Sequence, residues 1–267
     1  MKAVILGPGL SSRIRQITNG SPKCLLRFGD RTILDYQLDS LFDRGITEAA
    51  LVVGHGKEHI VHHVAHCHAG KLHSIHFIVN PQFASTNNIT SLWLARDWSG
   101  ENDFLSLNAD VLYHPRIILP AVATQTDISV IVDQEFREET MKVIIRHGKV
   151  LAMKKGIPRE EFSGTYIGIT KFSRRINRSL FAAIGDHIRE GQTGVFFQVA
   201  VERLIADGVP VGYTTTGGLP WAEIDDAEDL RFAQTEIYPR LKPMAFPINE
   251  PSSSLQHPRH PSLILAH

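Results

Sequence analysis

Cysteine is almost missing from this chain of 267 residues: Cys24 and Cys67 are the only two, beside 4 methionines and 3 tryptophans. Two thiols are too few for a disulfide framework, so a reducing, cytoplasmic setting is expected. Net charge is missing as well, because 28 basic side chains balance 28 acidic ones. No global field then favours nucleic acid or an anionic membrane, and an anionic ligand must be met by a few placed cations. Apolar runs stay far short of the ~20 residues that cross a bilayer, and strand-like sequence begins at Lys2, so neither a membrane span nor a signal peptide is expected. Internal repeats and a His-Glu-x-x-His pattern are also lacking. The 43% of hydrophobic residues suffices for one sizeable domain, read over residues 1–242. Residues 243–267, rich in Pro, Ser and His, read as a disordered tail.

What is present concentrates near the N-terminus. The apolar run Lys2–Leu6 leads into Gly7-Pro8-Gly9-Leu10-Ser11-Ser12-Arg13, and Ser21-Pro22-Lys23 follows a short polar stretch. A short apolar run that ends in glycines reads as a buried strand feeding a loop. Glycines there let backbone N–H groups approach a phosphate chain, and Arg13 and Lys23 add two cations. Gly7-x-Gly9-x-x-Ser12 is close to a dinucleotide fingerprint, but that motif opens straight into a helix, whereas Arg15 to Gly20 intervenes here.

Strand-like and helix-like runs alternate through most of the chain. A helix is expected from Ile33 to Leu41 with Gly45 as its stop, then strands at 49–53, 74–79, 104–107 and 128–132 and helices at 58–67 and 115–122. Lys142–Ile145 and Val150–Met153, joined by Arg146-His147-Gly148-Lys149, read as a hairpin, and a closing helix is expected from Ala227 to about Tyr238. This order implies an α/β protein whose mixed sheet is covered on both faces.

Several groups could carry chemistry. Leu107-Asn108-Ala109-Asp110 sets a carboxylate at the C-terminal end of a buried strand, the edge where open α/β sheets bind ligands, and Asp110 is well placed for Mg²⁺. Glu223 and Asp225 share a face of an extended segment, while Asp226 is a natural N-cap. Asn87 and Asn88 begin a helical run, where capping is the competing explanation. His59, His62, His63 and His66 share one helical face and are read as solvated rather than metal-binding.

The motif Leu6-Gly7-Pro8-Gly9-Leu10-Ser11-Ser12-Arg13 with Pro22-Lys23 resembles the signature of the nucleotidyltransferase family. It departs from the usual form at Gly7-Pro8, Ser11 and Gln16. Asn87-Asn88-Ile89-Thr90-Ser91, Glu223-Ile224-Asp225 and the segments 139–143, 154–156 and 163–169 are similar to the phosphocholine and phosphonate cytidylyltransferase branch. The resemblance implies a Rossmann-like three-layer α/β/α fold with a mixed, mostly parallel sheet. It further implies CTP and a phosphorylated or phosphonate acceptor as substrates, with Mg²⁺ on Asp110 and Asp225. Lys23 and Arg13 take the catalytic roles; Leu6, Gly7, Gly9, Ser12, Arg13, Lys23, Gly54, Asn88, Ser91 and Asp110 bind nucleotide; Lys155, Tyr166, Trp221 and Glu223 line the acceptor side. Three alternatives stay open: a sugar-1-phosphate nucleotidyltransferase using another NTP, a weakened nucleotide-binding homologue, and a glycosyltransferase, which would want Asp-x-Asp where Asn108-Ala109-Asp110 stands. A homodimer is left open.

Overall fold

The computed structural model describes residues 1–7, 9 and 12–241. Expectations about Pro8, Leu10, Ser11 and the tail from Lys242 onward lie outside the described residues. The first apolar run forms β1 (Lys2–Leu6), buried beyond Lys2. A short hairpin of β2 (Arg27–Phe28) and β3 (Arg31–Thr32) delivers the chain into the helix Ile33–Phe42. That helix starts with a capping box, in which the Thr32 hydroxyl accepts from the Asp35 N–H and the Asp35 carboxylate accepts from the Thr32 N–H. Strands β4 (Ala49–Val53) and β5 (Ile75–Val79) flank the helix Lys57–Cys67.

The second half adds β6 (Phe104–Asn108), β7 (Val111–Tyr113), β8 (Ile128–Asp133), β9 (Lys142–Arg146) and β10 (Lys149–Lys154). It closes with β11 (Gly164–Phe172), β12 (Val211–Thr215) and β13 (Trp221–Glu223). The 146–149 turn fits the hairpin expectation, since His147 and Gly148 both have positive φ, at 51° and 72°.

Nine strands form one sheet in the order β5-β4-β1-β6-β11-β8-β12-β10-β9, and β9 also pairs with β11, curling the far end round. Strands β10 and β11 run against the other members, so strand direction is mostly parallel while the ladders mix both kinds. Side chains alternate between two cores: Ala3 and Ile5 of β1 join one cluster, Val4 and Leu6 the other. The first core packs beneath Leu34, Leu38 and Leu41 and beneath Ile60 and Val64 of the two early helices. The second packs beneath Ile89 and Leu92, Leu180 and Ile184, and Ala200 and Leu204 of the helices Asn88–Leu94, Asn177–Arg189 and Gln198–Ala206. This is the expected three-layer α/β/α arrangement. Among the described residues no helix is long and apolar enough to cross a membrane.

Strand order decides where a ligand can enter. From β1 the chain steps outward to β4 and β5, then returns to place β6 on the other side of β1. The crevice beyond the carboxyl ends of β1 and β6 is therefore a topological switch point.

Candidate active site

A cleft of about 340 Å³ opens at that switch point. Leu6, Gly7 and Gly9 line it from the end of β1, and Asn108, Ala109 and Asp110 from the end of β6. The two edges touch so closely that a Cβ on Gly7 would sit 2.8 Å from the Ala109 Cβ, so glycine is required for contact rather than for unusual φ. Lys23 enters from the turn after Pro22. Gly56, with φ 61°, lets that turn approach, because a Cβ there would meet the Pro22 ring at 2.9 Å.

The Lys23 ammonium donates to Asp225 Oδ1 at 2.6 Å and to Asp110 Oδ2 at 3.3 Å. Burial opposes its charge, but Asp110 and Asp225 outweigh that and raise the Lys23 pKa. Glu223, two residues before Asp225, accepts from Asn108 Nδ2 at 3.3 Å. Burial, followed by the charges of Asp110 and Asp225, pushes the Glu223 carboxyl up to about 8. Burial raises Asp110 as well, against the pull of Lys23. Three carboxyls thus share one cation, an acidic centre that calls for a further positive charge. Asp225 is fixed from behind, since its N–H donates to Asp229 Oδ2 at 2.8 Å, and Asp226 with Asp229 forms the capping box of the helix Ala227–Phe232.

Residues 2–141 match the model of the nucleotidyl transferase family. The chain belongs to that family. Over 192 residues this nucleotidyltransferase is 26% identical to the CTP:phosphoglutamine cytidylyltransferase of Campylobacter jejuni, covering 65% of this chain and 73% of that one. A stretch of 118 residues is 36% identical to the CMP-5'-(3-aminopropyl)phosphonate synthase of Streptomyces rubellomurinus, covering 44% of this chain but 18% of the relative. The inositol-1-phosphate CTP transferase from T. maritima shares the fold, with a TM-score of 0.76 at 18% identity over 90% of this chain and 94% of its own.

The nucleotidyltransferase cleft gathers most residues singled out in the sequence: Leu6, Gly7, Gly9, Arg13, Lys23, Asn88, Asp110, Lys155, Tyr166, Glu223 and Asp225 all line it. Ser12 opens the short 3-10 turn that carries Arg13. Others are placed elsewhere. Ser91 is fully buried and meets Asn80 Nδ2 at 3.3 Å, because its side of the helix faces the end of β5 rather than the cleft. Trp221 is 3% exposed in the first core, with the Arg137 guanidinium 4.6 Å from its ring. Gly54 is buried at the end of β4 and does not line the cleft. Tyr166 reaches the wall only as a buried ring whose hydroxyl pairs with Thr170 Oγ1 at 2.9 Å.

Three wall residues lie outside every motif of the sequence: Thr86, Phe196 and Gln198. Phe196 carries the Lys155 ammonium 5.3 Å above its ring. Lys142, within the 139–143 segment, ties two walls together. It is 2% exposed, and its ammonium donates to the carbonyls of Glu138 at 2.5 Å, Lys155 at 2.8 Å and Thr140 at 3.4 Å.

The histidine face is only partly solvated. His63 turns inward and, with buried His68, meets Asp35 Oδ1 at 2.8 Å from each ring. Helical spacing shows which residues share a side but not that this side touches a carboxylate on another helix.

Proposed function

We propose that this nucleotidyltransferase moves CMP from CTP to the phosphate or phosphonate oxygen of a small acceptor and releases pyrophosphate. The reading rests on Lys23 held between Asp110 and Asp225 at the ends of β1 and β6, beside Gly7, which packs closely against Ala109. Support for CTP comes from relatives named as a CTP:phosphoglutamine cytidylyltransferase and a CMP-5'-(3-aminopropyl)phosphonate synthase.

The donor set fits Mg²⁺. Asp110, Glu223 and Asp225 offer only hard oxygens, and one ammonium leaves them short of positive charge. Asp110 and Asp225 would hold the ion, with Glu223 beside them. When bound, the ion supplies charge neutralisation at the phosphates and polarises the α-phosphorus.

The acceptor oxygen forms a bond to the α-phosphorus while the bond from that phosphorus to the β-phosphate oxygen breaks, so pyrophosphate leaves with the electron pair. An ionised phosphate or phosphonate is already a nucleophile, and no side chain needs to remove a proton. Catalysis then comes from alignment and charge. Lys23 neutralises charge that develops at the α-phosphate, and Arg13, exposed at the cleft edge, receives the pyrophosphate. Asn88 Oδ1 accepts from the Phe197 N–H at 2.8 Å, so its amide NH₂ is the group left to meet an acceptor atom of cytosine. Lys155 meets the acceptor phosphate across the cleft.

The test is pyrophosphate release with Mg²⁺ for CTP, UTP, GTP, ATP and dTTP, each against aminoalkylphosphonates, phosphocholine, phosphorylated amino acids and sugar 1-phosphates. Release with CTP and a small non-sugar acceptor supports the proposal. Release only with a sugar 1-phosphate and another NTP replaces it by the sugar-nucleotide alternative.

A further inference from the structure

Asp110 reaches the cleft on a short turn, Ala109-Asp110, between the end of β6 at Asn108 and the start of β7 at Val111. Backbone bonds hold two sides of that turn: the Ala109 N–H donates to the Leu6 carbonyl at 3.1 Å, and the Asp110 carbonyl accepts from the Ile224 N–H at 3.0 Å. The third side is held by a side chain. Gln37, on the helix Ile33–Phe42, donates through Nε2 to the Asn108 carbonyl and to the Val111 carbonyl, at 2.9 Å each, and so binds both ends of the turn at once.

Gln37 is 0% exposed, does not line the cleft, and leaves its own carbonyl Oε1 without a hydrogen-bond partner. An apolar side chain of similar volume would avoid the cost of that unpaired oxygen, so packing alone does not account for an amide here. Both of its N–H donors go to the turn, and reversing the amide would set Oε1 against two carbonyl oxygens. The amide orientation is therefore fixed by its two acceptors. The helix beneath is anchored in turn, by Leu34, Leu38 and Leu41 in the first core and by the Thr32 and Asp35 capping box, whose carboxylate also meets His63 and His68. A side chain on so constrained an element holds its acceptors within narrow limits.

We propose that Gln37 is a positioning residue: it holds the Asp110 carboxylate where Asp110, Asp225 and Lys23 converge, and so sets the affinity of the acidic centre for a divalent cation. The inference deepens the function proposed above and rests on its placement of the cation on Asp110 and Asp225. Without the amide the turn keeps its two backbone bonds but loses its tie to the helix, and the Asp110 carboxylate is no longer held in register with Asp225.

Mn²⁺ binding tests this without relying on turnover. The full-length protein is titrated with Mn²⁺ alone, followed by water-proton relaxation, and thermal unfolding is recorded for each preparation. Gln37→Met, which keeps the volume and removes both donors, should weaken Mn²⁺ binding about tenfold or more, as loss of a group that orients a metal ligand does. Gln37→Glu, which keeps the shape but sets an oxygen against at least one of the two carbonyls, should weaken it too, and it carries the comparison if Gln37→Met does not fold. Leu41→Ala destabilises the same helix without touching the turn and should bind Mn²⁺ as the parent does. Parent-like affinity in a folded Gln37→Met or Gln37→Glu, with Asp110→Ala impaired, overturns this inference alone. An equal loss in Leu41→Ala also overturns it, by assigning the effect to helix stability. No Mn²⁺ binding by the parent, or equal binding by the parent and Asp110→Ala, overturns it together with the placement of the cation on Asp110. Absence of pyrophosphate release despite the expected Mn²⁺ pattern would instead count against the reaction and leave the role of Gln37 standing.

Discussion

Replacing Lys23 by Met removes the charge on which Asp110 and Asp225 converge and keeps much of the side-chain volume. Two consequences can be sized separately. For catalysis, one preorganised cation at the reacting phosphate is worth about 10²–10³-fold in kcat, or roughly 3–4 kcal/mol. For stability the effect is small. The Asp225 side chain is 46% exposed and its pairing is screened, and the Asp110 carboxyl, already raised by burial, takes up a proton once its cation is gone. The net cost should stay within about 1 kcal/mol. The assay pairs pyrophosphate release at saturating substrates with thermal unfolding of the same preparation. A kcat lowered about 10²-fold or more with nearly unchanged Tm is expected. Activity within threefold of the parent would refute the role given to Lys23, and a collapse of Tm would show that the ion pairs hold the fold rather than the chemistry.

Asp35→Asn should destabilise the protein by about 3–5 kcal/mol at pH 7, because it breaks a buried cluster whose Asp35, His63 and His68 side chains are 8%, 15% and 5% exposed. Burial opposes ionisation of Asp35, yet hydrogen bonds from His63, His68 and the Thr32 N–H prevail and hold its carboxyl well below the usual range. A depressed acid stabilises above the unfolded pKa of about 4, so the gap between parent and variant, followed by denaturant midpoint, should narrow as pH falls below about 4. A gap independent of pH would contradict the assignment. Lys142→Met strands the carbonyls that now receive its ammonium, so acceptor KM should rise more than CTP KM, with a stability loss of about 1–3 kcal/mol; equal shifts in both KM values would argue against a role specific to the acceptor wall. Gly7→Val drives a side chain into Ala109, already 2.8 Å from a Cβ at that position, and should lower the unfolding free energy by about 1–3 kcal/mol along with nucleotide affinity. Unchanged affinity would detach the glycine loop from the nucleotide.

The legible parts of the fold are those with local signals. β1 ends in glycines, Asp110 follows a buried strand, and Asp226 caps a helix, so each announces its place through its immediate neighbours. The unread parts depend on contacts distant in sequence. Asn88 and Ser91 fall on similar sides of one helix, and only packing against Asn80 decides that Ser91 is sealed while Asn88 reaches the cleft. Trp221 and Glu223 alternate alike along β13, yet Trp221 enters the core and Glu223 the cleft. Phe196 and Gln198 carry no motif. Their position follows from the helix Gln198–Ala206 packing on β10.

Whether this cleft transfers a nucleotide is the decisive question. The most direct measurement is pyrophosphate release from CTP and a panel of small phosphate and phosphonate acceptors, with the parent protein and Asp110→Ala run side by side and their unfolding temperatures recorded. Release by the parent, and a loss of about 10³-fold or more in a variant that still folds, is the predicted result. Equal release by both proteins, or none by the parent with any acceptor, would contradict it.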